Sequence, residues 1–205
     1  MNQLDFRQAA GCELVRAADI QKLGGPSSEI TLRGHYKVEL VRNGKTIRTI
    51  EGKNGIVNEG KNKLLDVMFH ATTQISTWYL GLIDNSGYTA LANDDIYDDI
   101  NQAGNGWDEF ANYTDDANAD STTTRPTWTE GAASGQSITN SSVVIFDVTG
   151  SGTVKGLFVV GGTNAQTKSD HTASGNFLWA TALFTGGDVA VTNGDQLKVT
   201  YTVSA

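Results

Sequence analysis

From Glu29 onward, apolar and polar positions alternate along this chain. Ile30, Leu32, Val38 and Leu40 share one parity, the period of a half-buried strand. Arg42-Asn43-Gly44-Lys45 interrupts the alternation, and Thr46, Ile47 and Ile50 resume it. Asn-Gly between alternating segments tolerates the positive φ of a type I′ turn, so residues 36–51 are predicted to form a β-hairpin. The pattern then changes period. Leu64, Leu65, Val67 and Met68 form the apolar face of a short helix that Asn58 is placed to cap. Gly60 weakens that helix, and Lys61 stands where a capping box wants Glu or Gln. The helix is therefore expected to depend on packing across the end of a sheet.

Ile75 to Ile83 reads as a buried strand. Strands return at Ser141–Val148 and Thr153–Val160, and Gly150-Ser151-Gly152 between them predicts a second hairpin. Asn176–Phe184 and Gln196–Val203 follow, with turns at Gly186-Gly187 and Asn193-Gly194-Asp195. About eight to ten short strands at this spacing predict a mainly β fold. The expected form is an antiparallel β-sandwich, jelly-roll or immunoglobulin-like, with one short α-helix.

Two segments stand outside this pattern. Residues 1–28 carry Leu4, Phe6, Leu14, Val15, Ile20 and Leu23 without a clean period, and end in the breaker cluster Gly24-Gly25-Pro26-Ser27-Ser28. They are read as an extended N-terminal arm, and residues 29–205 as one sandwich domain. Residues of about 85–135 form a long insertion with little periodicity but many aromatics, among them Tyr88, Tyr97, Trp107, Phe110, Tyr113 and Trp128. Long irregular segments in compact domains are usually functional loops or extensions.

The 205 residues suffice for one sizeable core. With 23 glycines against 2 prolines, the composition favours strands joined by tight turns. The net charge of −8 argues against nucleic acid as a partner, because phosphate binding needs clustered Lys and Arg. A single cysteine, Cys12, makes no internal disulfide. No window holds 18 apolar residues, so no spanning helix is expected. Met1-Asn-Gln-Leu-Asp-Phe-Arg lacks the basic-then-apolar order of a signal peptide, so synthesis in the cytoplasm is the expectation. Charge is also uneven. Residues 1–63 hold 11 of the 15 Lys and Arg, whereas acids from Asp94 to Asp120 accumulate where no base occurs. Such a bipolar chain suits a complementary surface, a second copy included, although a solvated acidic loop explains the block equally well.

Enzyme signatures fail. His35, His70 and His171 are scattered without zinc spacing, and there is no nucleophile elbow or phosphate-binding loop. Asp116-x-Asn118-x-Asp120 begins like a calcium loop, but Ser121 and Thr127 stand where the turn glycine and bidentate Glu belong. Acids beside Trp and Tyr in the insertion suit sugar binding or glycoside hydrolysis. The plainer and favoured alternative is that Trp107, Phe110 and Trp128 pack on the sandwich and pin the insertion down. No catalytic residue, cofactor or metal is expected.

One stretch is more specific. Asn54, Gly55, Val57, Asn58, Gly60, Asn62, Leu64 and Leu65, followed by Trp78, Tyr79, Gly81 and Leu82, resemble a signature of tailed-bacteriophage virion proteins. The closing Gly194-Asp195-Gln196-Leu197-Lys198-Val199-Thr200-Tyr201-Thr202 also looks like the last strand of such proteins, and about a third of the chain is covered. The resemblance implies a β-sandwich with an assembly role: a capsid decoration (cement) protein on the shell exterior. Its partners would be the major capsid protein and further copies of itself, a trimer being a common form. Phe6, Arg7 and Arg16 are the expected arm contacts, and Trp107, Phe110 and Trp128 the expected contacts of the insertion. The alternatives are a tail or adsorption component contacting host glycans, and a free carbohydrate-binding module or small glycosidase.

Overall fold

The structure, a computed structural model, describes residues 31–118, 120–168, 171–172 and 174–205. The arm and its Phe6, Arg7 and Arg16 lie outside the described residues. The described residues hold eleven strands, in order β1 (Arg33–Arg42), β2 (Lys45–Ile56), β3 (Trp78–Asp84), β4 (Tyr113–Asp115), β5 (Thr127–Trp128), β6 (Ser137–Thr139), β7 (Val144–Val148), β8 (Gly152–Gly162), β9 (Asn176–Leu183), β10 (Val189–Val191) and β11 (Gln196–Ser204). Among the described residues one α-helix, α1 (Asn58–Phe69), follows β2.

All strands belong to one antiparallel sheet, in the order β4-β7-β11-β1-β2-β9-β8-β3-β5, with β10 beside β8 and β6 beside β11. The expected two-sheet sandwich is therefore corrected to a single, strongly curled sheet, a half-barrel. The reason lies in β2. Lys45 to Asn54 pair with β1, and Gly55 and Ile56 pair with β9, so hydrogen bonding passes through one strand where a sandwich would break. Register shifts at Leu40/Val41, Ile83/Asp84 and Val159/Val160 add local twist and help the curl. The ribbon after the insertion connects the far side. Leu80 donates to the Pro126 carbonyl, Gly131 to Thr139 and Ser141 to Thr129, while β6 pairs with β11.

The inner face holds the larger core, with Tyr36, Val38, Leu80, Leu157, Phe146 and Tyr201 fully buried. The outer face of β3 and β8 is covered too, by the insertion: Tyr97, Ile100 and Trp107 pack on Tyr79, Ile83, Phe158 and Val160. Burial on both faces explains why these strands read as near-continuous apolar runs without alternation.

The first hairpin forms as expected, with Asn43 at φ 50° and Gly44 at φ 72°. The second does not. β7 pairs with β4 and β11, whereas β8 pairs with β3, β9 and β10, so residues 149–151 carry the chain from one part of the sheet to another. Thr149 donates to the Asn112 carbonyl there, and Gly152 lies where a Cβ would meet the Phe110 ring at 2.4 Å. The glycines serve a crossing and not a tight turn.

α1 lies near its expected place, but its N-cap is Val57, and Asn58 is its first residue. Its packing also differs. Leu64 and Val67 are half-buried, whereas Leu65 and Met68 face outward. Gly60 is the buried residue of the helix, and a Cβ there would lie 2.6 Å from the Trp179 carbonyl oxygen. Gly60 thus costs helix propensity but permits α1 to sit directly on β9.

Candidate functional site

Three constellations stand out among the described residues. The first is the signature segment itself. Asn54 Nδ2 donates to the Tyr201 hydroxyl at 2.9 Å, joining the turning point of β2 to β11. Burial pushes the Tyr201 hydroxyl above the usual phenol range. Val57 N–H donates to the Trp179 carbonyl, and Asn58 N–H to that of Asn93. The Glu59 carboxylate accepts N–H groups from Tyr97 at 2.9 Å and Leu178 at 2.7 Å, tying α1 to both the insertion and β9. Its burial raises the carboxyl above its ordinary range, and the two donors partly offset this. Gly81 faces Phe158 across the β3–β8 ladder, and a Cβ on it would meet that ring at 2.1 Å. These residues serve contacts within the chain.

The second constellation is a buried polar network that holds the insertion. Arg125 is fully enclosed. Its Nε and Nη2 donate to the Glu109 carboxylate at 2.9 and 2.8 Å, and its Nη1 to the Tyr97 hydroxyl at 3.1 Å and the Ala165 carbonyl at 2.7 Å. Burial opposes the guanidinium charge, but the Glu109 carboxylate outweighs it, so Arg125 titrates above a free arginine. Tyr113 donates its hydroxyl to Glu109 at 2.9 Å, and burial drives that phenol far upward. Lys168 Nζ lies 4.0 Å from the Tyr113 ring centroid and donates to the carbonyls of Ala111 and Tyr113; burial lowers its pKa. Trp107 Nε1 donates to Asp95, whose carboxyl burial raises. Every charge named here faces a partner inside the protein, and the network reads as a clasp.

The third constellation is an apolar cleft of about 280 Å³ between α1 and the end of the sheet. Leu64 and Val67 of α1 face Trp78, Trp128, Trp179 and Ile138 across it. Trp78 and Trp179 meet edge to face at 5.7 Å, and Trp128 Nε1 donates to the Tyr201 carbonyl. Lys63 and Glu130 also line the cleft. Its walls suit an apolar group and offer no nucleophile beside a base.

The expected contact residues of the insertion lie inside the protein. Trp107, Phe110 and Trp128 are buried, so their side chains present almost no surface to a partner. The alternative that they pin the insertion is the arrangement observed. Trp107 packs on Phe158 at 5.3 Å and Trp128 on Tyr201 at 5.6 Å. Asp95, Glu109 and Asp115 of the acidic block are also buried, whereas Asp94, Asp108, Asp116 and Asp120 are exposed. His35 and His70 are exposed, and His171 lies beside Asp98 and Asp99. Among the described residues no group of three or more His, Cys, Asp or Glu is placed to hold a metal ion, and no helix is long and apolar enough to cross a membrane. Sequence reasoning missed Arg125 and Lys168. Their isolation downstream of a long acidic stretch was the available signal. Comparison with protein-family models, with curated proteins and with solved structures yields no match for this chain.

Proposed function

We propose that this chain is a bacteriophage virion structural protein, a capsid decoration (cement) protein that binds and stabilises the assembled shell. The observation that supports it best is the use made of the signature segment. Asn54, Val57, Gly60 and Gly81 each fix the fold, as expected of a motif that marks a kind of building block and not a reaction centre. The conspicuous acids and aromatics of the insertion serve the same end. In this reading the protein is not an enzyme and needs no cofactor. The curled sheet lies on the capsid exterior, self-associates, and contacts the major capsid protein, with Phe6, Arg7 and Arg16 as arm contacts. A protein that binds only the assembled shell raises its stability by mass action.

Copy number tests the proposal. Quantitative mass spectrometry of purified particles should give a ratio to the major capsid protein near one or one-third. A ratio of a few per cent would move the chain to the tail, and absence from particles would reject virion membership. Glycan recognition by stacking on Trp107 or Trp128 has little support, since both rings are buried.

A further inference from the structure

The helix α1 carries more apolar surface than the sheet covers. At 100° per residue, Val67, Gly60 and Leu64 point towards the sheet, and Met68, Leu65 and Phe69 continue the apolar arc to the solvent side. The arc spans roughly 200°, about twice the stripe that a helix on one core needs. Met68, Leu65 and Phe69 are 65, 55 and 82% exposed, the highest values among the exposed large hydrophobics of the described residues. They adjoin the apolar cleft through Leu64. Packing among the described residues gives no reason for three such side chains side by side.

The charges on α1 indicate what covers them. Lys61 lies on the same outward arc, in the first turn, where the positive end of the helix dipole disfavours a cation. The last turn carries no basic residue, although its free carbonyls favour one. Both mismatches are relieved by a second α1 laid antiparallel. Each Lys61 then sits over the other helix's C-terminal turn, and the apolar residues between meet their counterparts. Leu65 is midway between Lys61 and Phe69 and falls at the two-fold axis. A self-complementary patch of this kind is what an isologous contact requires.

We propose that the outward face of α1, centred on Leu65 and carrying Lys61, Met68 and Phe69, is a two-fold interface between two copies of this chain. The inference stands without the virion reading. The helix is only about 18 Å long. Its patch is smaller than the roughly 800 Å² per partner of a standard interface, so the dimer is weak and concentration-dependent.

The test is sedimentation velocity on the full chain over a concentration series, expected to show a monomer–dimer equilibrium. Phe69→Glu should weaken it about tenfold or more, with an unchanged thermal melt because Phe69 is exposed. Leu65→Glu should do the same at the axis. In a Cys12→Ala background, Leu65→Cys should oxidise to a disulfide-linked dimer, whereas Lys45→Cys at the hairpin tip should not. A monomer at every concentration overturns the proposal. So does an oligomer of any size that survives both glutamate variants, or a dimer in which Leu65→Cys fails to cross-link. If the wild-type chain is monomeric and Phe69→Glu loses binding only to particles, the face belongs to a shell subunit and the second-copy assignment falls.

Discussion

Replacing Arg125 by Met removes the centre of the polar network while nearly keeping its volume. The guanidinium makes two bonds to Glu109, one to Tyr97 and one to a backbone carbonyl, and it lies 5.3 Å from the Phe158 ring centroid. In the variant, the buried Glu109 carboxylate retains the Tyr113 hydroxyl but loses its counter-charge. Breaking a buried pair from one side costs about 3–5 kcal/mol, most of it the penalty of the stranded charge. That is a large share of the roughly 5–15 kcal/mol that holds a domain together. The pair fastens the insertion, so the loss should appear there first. Limited proteolysis should cut the variant between residues 85 and 125 at protease levels that leave the wild type intact. Urea unfolding followed by tryptophan fluorescence should show a lower midpoint. Pairing Arg125→Met with Glu109→Gln should recover part of the loss, because the stranded carboxylate is gone, although Lys168 loses a neighbouring negative charge. An Arg125→Met chain with the wild-type midpoint and protease pattern would refute the clasp. So would a double variant no more stable than the single one.

Gly60→Ala sets helix propensity against space: alanine gains about 1 kcal/mol in a helix interior, but its Cβ meets the Trp179 carbonyl oxygen at 2.6 Å. Backbone cannot yield cheaply, so a net loss of about 1–3 kcal/mol is expected by calorimetry. Gly81→Ala presses on the Phe158 ring, and a loss of similar size should show in the urea midpoint, together with changed Trp107 fluorescence. Asp195 is held below the ordinary carboxylate range by the Arg42 guanidinium at 2.7 and 2.6 Å, with burial opposing and Thr192 assisting. A depressed folded pKa contributes stability above the unfolded value of about 3.9, and this is lost as pH falls through the folded value. Asp195→Asn should therefore be the less stable chain at neutral pH, and the gap in urea midpoint should begin to narrow below about pH 4 and close only once pH falls below the lower folded value.

What was legible in the sequence was local. Asn43-Gly44 dictates its turn whatever surrounds it, and the hairpin followed. α1 announced itself by period, but how much of its apolar arc meets the sheet depends on where the sheet stops. Gly60 looked like a weakness because propensity is counted within the helix, whereas its use is a contact with Trp179, distant in sequence. Gly150-Ser151-Gly152 looked like a hairpin turn because turn chemistry says that the chain bends and not which strand it meets next. The choice between sandwich and curled sheet rested on Gly55 and Ile56 changing partners at the end of β2, a non-local event without a residue signal. The aromatics of the insertion supported both a packing role and a partner contact, and their burial matches the packing role. The Arg125–Glu109 pair, 16 positions apart in an irregular segment, was not legible.

The pairing of β1 with β11 ties the first described strand to the last. On the ribosome, the β1–β2 hairpin is made early, but its neighbour from Gln196 onward emerges some 150 residues later, about 8–30 s at ordinary synthesis rates. Throughout that interval β1 presents an open edge with Tyr36, Val38 and Leu40 uncovered, an invitation to mispairing between nascent chains. The lysines and arginines that flank those residues at Arg33, Lys37 and Arg42 act as gatekeepers while the chain waits. Folding of this sheet is thus deferred until β11 has left the ribosome, and yield in a host cell should be governed by crowding of incomplete sheets more than by stability of the finished one.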